Sequence, residues 1–172
     1  MKSEQLEKLR SKIIDRIFKQ QWKEVWFFPE DIKVKGYLGT QDIIFLCLNP
    51  SYSRFPTRYD KFFYKQLKNY KFENAHITDL IKIRATNKEI DNIIKNKEIL
   101  KEQIEFLNNE IEIIEPKLIV ALGDKCDKNL KKLKIDKKTI KIRHYSSIRF
   151  PKNKEKFSRE LREVRRVYDG LN

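Results

Sequence analysis

Residues 43–48 read Ile-Ile-Phe-Leu-Cys-Leu, six apolar side chains in a row. A strand sends alternate side chains to opposite faces, so this run has no face to show to water and must be covered on both sides. That points to a parallel sheet held between helices. Lys-Leu-Ile-Val-Ala-Leu-Gly at 117–123 is a second such strand, ending in glycine, and 75–80 and 139–143 read as two more. Helical patterns alternate with them. Over 3–20, Leu6, Leu9, Ile13, Ile14, Ile17 and Phe18 recur at helical spacing behind Ser3 as a possible N-cap. An aromatic stretch, 22–28, follows. Further helices are expected over 59–70, over 89–115 up to Pro116, over 124–133 behind Asp124 as a cap, and after Pro151. The expected fold is α/β: a three-layer α/β/α sandwich around a mostly parallel four-stranded sheet, one domain over 1–172 with its core at about 42–168.

Composition narrows the class. The 172 residues suit one domain, and 40% hydrophobic residues can fill a core. Six consecutive apolar residues fall far short of the roughly 20 that span a bilayer. The first ten residues lack the apolar segment of a secretory signal, so a soluble, cytoplasmic protein is expected. Two cysteines make neither a disulfide framework nor a CxxC knuckle.

The 39 Lys+Arg against 25 Asp+Glu give a net charge of +14, which predicts a polyanionic partner, nucleic acid first. The bland alternative is that the Lys/Ile/Asn-rich composition reflects an AT-rich genome. Yet the cations crowd into 141–168: Lys141, Arg143, Arg149, Lys152, Lys154, Lys156, Arg159, Arg162, Arg165 and Arg166. This reads as a basic tail and not as a balanced, salt-bridged surface. Ile93, Leu100, Leu107 and Ile114 fall seven apart, with Ile90, Ile104 and Ile111 supplying the alternate seam. Such spacing fits a coiled-coil dimer or a helix packed on a sheet; Lys97 interrupts the seam, and a monomer is expected.

Ligands of open parallel sheets sit beyond the carboxyl ends of the strands. Here those ends run into 49–53, 79–84, 123–125 and 144–150. No P-loop, dinucleotide fingerprint, HExxH or nucleophile elbow is present in the sequence. Taken singly, an Asn-Pro turn and a His-Tyr-Ser-Ser loop say little. In order, a strand ending in Leu-Asn-Pro-Ser, one ending in Ile-Thr-Asp-Leu-Ile-Lys, then Pro-Lys-Leu-Ile-Val-Ala-Leu-Gly and His-Tyr-Ser-Ser resemble the uracil-DNA glycosylase superfamily over about 42–160. Leu-Asn-Pro-Ser is similar to the Gly-x-Asn-Pro-Gly motif of the mismatch-specific and single-strand-selective members, and His144-Tyr145-Ser146 to their His-Pro-Ser loop.

The resemblance implies a role for each matching position. Asn49 would position the hydrolytic water. Phe62, or Phe63, would stack on the extruded base, and Asp79 would stand where many members read the pyrimidine edge with Asn. His144 would donate to the base O2 and Ser146 would touch a phosphate. Ile148, with Arg149 beside it, would be the wedge inserted into the duplex. Ser147, Arg149 and Lys152 would add contacts to DNA. Ser51 stands where uracil-specific members place a Tyr that rejects a 5-methyl group, so thymine could be admitted.

The chemistry of N-glycosidic cleavage asks for such groups: a donor for the charge on the departing base, an oriented water, and a means of flipping the base. Cys47 for glycine, Tyr145 for proline and Asp79 for Asn depart from the pattern. An ionised Asp79 would accept from N3–H but repel O4. The expectation is a DNA glycosylase without metal or other cofactor, acting on uracil or a related damaged or mismatched base in DNA. Its alternatives are a catalytically inactive nucleic-acid-binding member of the same fold, and a basic coiled-coil adaptor.

Overall fold

The computed structural model describes residues 1–19, 24–133 and 135–171. Trp22, in the expected aromatic stretch, and residue 20, at the expected end of the first helix, lie outside them. Four strands, β1 (Gln41–Cys47), β2 (Ala75–Asp79), β3 (Leu118–Leu122) and β4 (Thr139–Ile142), form one sheet in the order β2-β1-β3-β4, and every pair is parallel. The helices are α1 (Lys2–Lys19), α2 (Arg58–Asn69), α3 (Asn87–Lys95), α4 (Lys97–Ile114), α5 (Asp124–Lys132) and α6 (Lys152–Asp169). The expected α/β sandwich is what the chain forms. No described helix is long and apolar enough to cross a membrane.

Strand alternation divides the core in two. Ile43, Phe45 and Cys47 of β1 and Leu118, Val120 and Leu122 of β3 pack with Phe63, Tyr64 and Leu67 of α2 and Phe157, Leu161 and Val164 of α6. Ile44 and Leu46, with Ile119 and Ala121, pack on the other side with Leu6 and Ile13 of α1, Leu107 and Ile114 of α4, and Cys126 of α5. Both faces of β1 and β3 are thus covered, as their unbroken apolar runs require.

Four local expectations are corrected. Helix α1 begins at Lys2, which puts Ser3 inside its first turn and not at the cap, and Ile14 stays 43% exposed beside the buried stripe. The helix expected over 89–115 is two helices, parted at Asn96. The Asn96 backbone is extended and its side chain accepts from the amides of Glu98 and Ile99 at 3.1 and 3.2 Å. A short polar side chain that caps the next turn competes with helix continuation. Gly123, not Asp124, is the N-cap of α5, and Asp124 pairs instead with Lys141 at 2.6 Å. The basic segment 141–168 is also partly balanced. Arg143 bonds Glu160, Arg165 bonds Asp169 and Arg166 bonds Glu163.

On the α4 side of β2 the core turns polar. His76, Lys82, Gln103 and Glu110 are fully buried. The Lys82 ammonium lies 2.9 Å from Glu110 Oε2 and 2.9 Å from Thr78 Oγ1, and also donates to the Asp79 carbonyl. Burial alone would raise the Glu110 carboxyl, but Lys82 and His76 beside it carry it below its ordinary value.

Candidate active site

Beyond the carboxyl ends of the strands lies a cavity of about 980 Å³, into which Asn49, Asp60, Asp79, Gly123, His144 and Tyr145 all face. Each arrives by a different local device. Asn49 follows the end of β1 at Cys47 by two residues, just ahead of Pro50. The parallel register sets Cys47 beside Asp79 at the ends of β1 and β2. Asp60 is held in the first turn of α2 by a capping box: Thr57 Oγ1 accepts from the Asp60 amide, and Asp60 Oδ2 accepts from the Thr57 amide at 2.7 Å.

Gly123 is needed twice over. Its φ is +92°, which L side chains rarely adopt, and a Cβ there would come within 3.2 Å of His144 Cβ, so any other residue would strain the backbone and push the β4 loop back by a few tenths of an ångström. The loop itself is a 3-10 helix, Tyr145–Arg149, with His144 as its N-cap.

Asn49 and His144 share a simple property. The Asn49 amide donates to the carbonyls of Pro50 (3.1 Å) and Ala85 (2.9 Å). Two carbonyl partners fix which end of the amide is nitrogen, so the oxygen is what it offers the cavity. His144 Nδ1 accepts from the Ser146 amide at 3.1 Å and lies 2.8 Å from Ser146 Oγ. That assigns the ring proton to Nε2. Burial depresses the imidazole to about 4, so at neutral pH it is an uncharged Nε2–H donor. A stack holds it in place. The His144 ring lies 4.4 Å from the Tyr145 ring, which stacks on Phe63 at 4.7 Å and 3°.

Asp79 is 2% exposed, and its Oδ1 is buried with no hydrogen-bond partner. Burial raises it to about 8, and the nearby Lys82 ammonium, already bonded to Glu110 and Thr78, offsets only part of that. The neutral carboxyl therefore predominates at pH 7, and not the ionised form considered from the sequence. Burial likewise pushes the Cys47 thiol well up, consistent with an inert wall of the cavity.

Of the residues named from the sequence, Asn49, Ser51, Asp79, His144 and Ser146 come together at this cavity. Four do not. Phe63 is fully buried behind Tyr145, and Phe62 packs edge-on against Phe157, 5.7 Å away. Ile148 is 6% exposed and belongs to the core, which removes it as a wedge. Ser147 is half-buried, and its carbonyl accepts from Asn153 at 2.9 Å.

Arg149 and Lys152 remain exposed, and the apolar side chain that the loop does present is Phe150, half exposed under the Arg149 guanidinium. The aromatic walls of the cavity are Trp26, Phe28, Tyr52, Phe55, Tyr59 and Tyr145. Trp26 packs edge-on to Phe28 at 4.7 Å, and Arg84 lies over its face. The sequence signal for Asp60 was Thr57-x-x-Asp60, an ordinary capping box; nothing local marked Trp26 or Phe55. Among the described residues no cluster of His, Cys, Asp and Glu could hold a metal ion.

A family model described as the Uracil DNA glycosylase superfamily matches residues 36–165 of the 172. That stretch contains all four strands and every residue named from the sequence as a site. No curated protein matches the chain.

Proposed function

We propose that this chain, which belongs to the uracil DNA glycosylase superfamily, hydrolyses the N-glycosidic bond of uracil or a related damaged or mismatched base flipped out of DNA. One observation carries the reading. Asn49 and His144 each spend one polar atom on the protein and leave the other, an acceptor and a neutral donor, to the same cavity.

As the bond to the base lengthens, positive charge grows on the sugar and negative charge on the base. Nε2–H of His144 donates to the base carbonyl oxygen where that charge collects. Being uncharged beforehand, it does not trade a proton with bulk water at neutral pH. Asn49 Oδ1 accepts a hydrogen bond from the attacking water and turns its lone pair toward the anomeric carbon, and the proton that the water loses neutralises the departing base anion. Neither residue acts as a strong base, because the sugar carbon is already electrophilic. Asp79 in its neutral form donates through O–H to a second base carbonyl and accepts a ring N–H through its other oxygen. The aromatic walls of Trp26, Phe28 and Phe55 supply apolar cover for a flat base.

The test is a strand-cleavage panel after alkali, with uracil, thymine, hypoxanthine and xanthine in single strands and in each mismatch. The expected result is release of at least one of these bases, lost in Asn49→Ala. DNA binding without release of any base would replace this reading with an inactive, nucleic-acid-binding member of the fold.

A further inference from the structure

The charge of the molecule is not shared between its helical layers. Helices α2 and α6 carry eleven basic residues to five acidic, whereas α1, α3, α4 and α5 carry fourteen to twelve. The excess on the first layer is also unpaired. Of its acids, Asp60 is bound to Thr57, Glu160 to Arg143, Glu163 to Arg166 and Asp169 to Arg165. Among the described residues the side chains of Lys61, Lys65 and Lys68 on α2, and of Lys154, Arg159 and Arg162 on α6, make no ion pair or hydrogen bond. All six are exposed.

The two helices run side by side in the same direction. Phe62 meets Phe157, Gln66 bonds Ser158 at 2.9 Å, and the Tyr70 carbonyl meets Arg165 at 3.5 Å. Both start at the cavity: Thr57, Tyr59 and Asp60 line it from α2, while the loop His144–Ser146 lines it just ahead of α6. From there the cations lead away down the layer. Lys61, Lys65 and Lys68 fall at i, i+4, i+7, and Lys154, Ser158 and Arg162 at i, i+4, i+8, each four-residue step rising about 6 Å. A shallow groove of about 400 Å³ on α6 is lined by Lys154, Ser158, Arg159 and Arg162, with Glu155 its one acid.

We propose that the α2–α6 layer is a second nucleic-acid surface, which holds the phosphodiester backbone running on from the nucleotide at the cavity. Like charges left unpaired on one face repel one another, and a polyanion removes that repulsion while releasing its own counterions. Arg and Lys on successive helical turns present donors at a spacing of the order of successive phosphates along one strand. No base edge is read there, so the surface adds affinity and reach without adding sequence preference. It extends the glycosylase reading without depending on it, because backbone binding needs neither a damaged base nor turnover.

The test is binding of undamaged duplex DNA over a range of salt, with two triple variants of equal charge loss. One removes Lys154→Gln, Arg159→Gln and Arg162→Gln; the other removes Lys8→Gln, Lys12→Gln and Lys101→Gln from the opposite layer, where all three are exposed. The α6 triple should lower the log–log salt slope by about two to three and weaken low-salt binding of a long duplex roughly tenfold or more. It should leave a short duplex that reaches only the cavity, and the single-turnover rate at saturating DNA, unchanged. The control triple should shift binding by less than about twofold. Equal losses in both triples, or an unchanged slope in the first, overturn the proposal. A wild-type protein that releases no base but shows the α6 effect keeps this surface and removes the enzyme reading.

Discussion

Two carboxyl groups lie deep in this fold on either side of Lys82, and they have opposite fates. Glu110 is given an ammonium at 2.9 Å and is held ionised, below its ordinary pKa. Asp79, three residues before that lysine, takes only a backbone share of it, keeps one oxygen unbonded and is pushed up to about 8. Glu110 faces the closed interior between β2 and α4; Asp79 faces the cavity. A buried acid with a cation is a structural joint. One without a cation is neutral, has hydrogen-bonding capacity to spare, and can meet a ligand at little cost in desolvation.

The comparison breaks most visibly at Lys82. Lys82→Met leaves Glu110 buried without its cation, and urea unfolding should show a loss of about 3–5 kcal/mol. Adding Glu110→Leu should recover much of it, since a pair replaced by apolar groups no longer strands a charge.

Changes at Asn49 and His144 should act chiefly on chemistry. Asn49→Ala should cut single-turnover base release 10²-fold or more with DNA affinity nearly intact, because its oxygen acts on water and not on phosphate. Activity within about threefold of wild type would show that water is held elsewhere. His144→Ala should cost roughly 10²–10³ in the same assay. A changed melting curve with an unchanged rate in the folded fraction would reduce His144 to a loop brace.

Asp79 sharpens the contrast through pH. Its folded pKa lies above its unfolded one, so between those values the native state binds the extra proton and stability falls as pH rises. Below about 6.5 the depressed imidazole of His144 opposes this, because there the unfolded chain takes up a proton that the native state refuses. The clean window is therefore pH 6.5 to about 8. There, urea unfolding should lose up to about 1.4 kcal/mol per pH unit, and Asp79→Asn should flatten the slope.

Base release should decline through the same pH range as the donor is lost. Below it, Asp79→Asn should change uracil release by only a few-fold, since neutral Asp and Asn offer the same donor and acceptor. A tenfold gain at pH 6.5 would mean that Asp79 is ionised after all.

The strands were legible because each apolar run states its own requirement for cover. The positions of Asn49, Asp79 and His144 were legible because they follow strand ends in a recognisable order. Phe62, Phe63 and Ile148 were misplaced for one shared reason. Which side of a helix or a loop faces the core depends on its rotation against the sheet, and adjacent aromatics in sequence do not disclose it. The Lys82–Glu110 joint was hidden by 28 residues of separation. The break at Asn96 was hidden because apolar periodicity continues on both sides of it, while the event that ends α3 is a local cap.

The stack of Phe63, Tyr145 and His144 has a consequence for anyone wishing to broaden the substrate range. Tyr145 is the obvious side chain to trim for a bulkier base, since it walls the cavity. It is also the plate on which the imidazole rests, with a core phenylalanine beneath it. Room and reactivity are therefore mechanically coupled here. Space is more safely gained at Ser51 or along Trp26 and Phe55, walls on which the imidazole does not rest, and selection for larger substrates should accumulate changes there first.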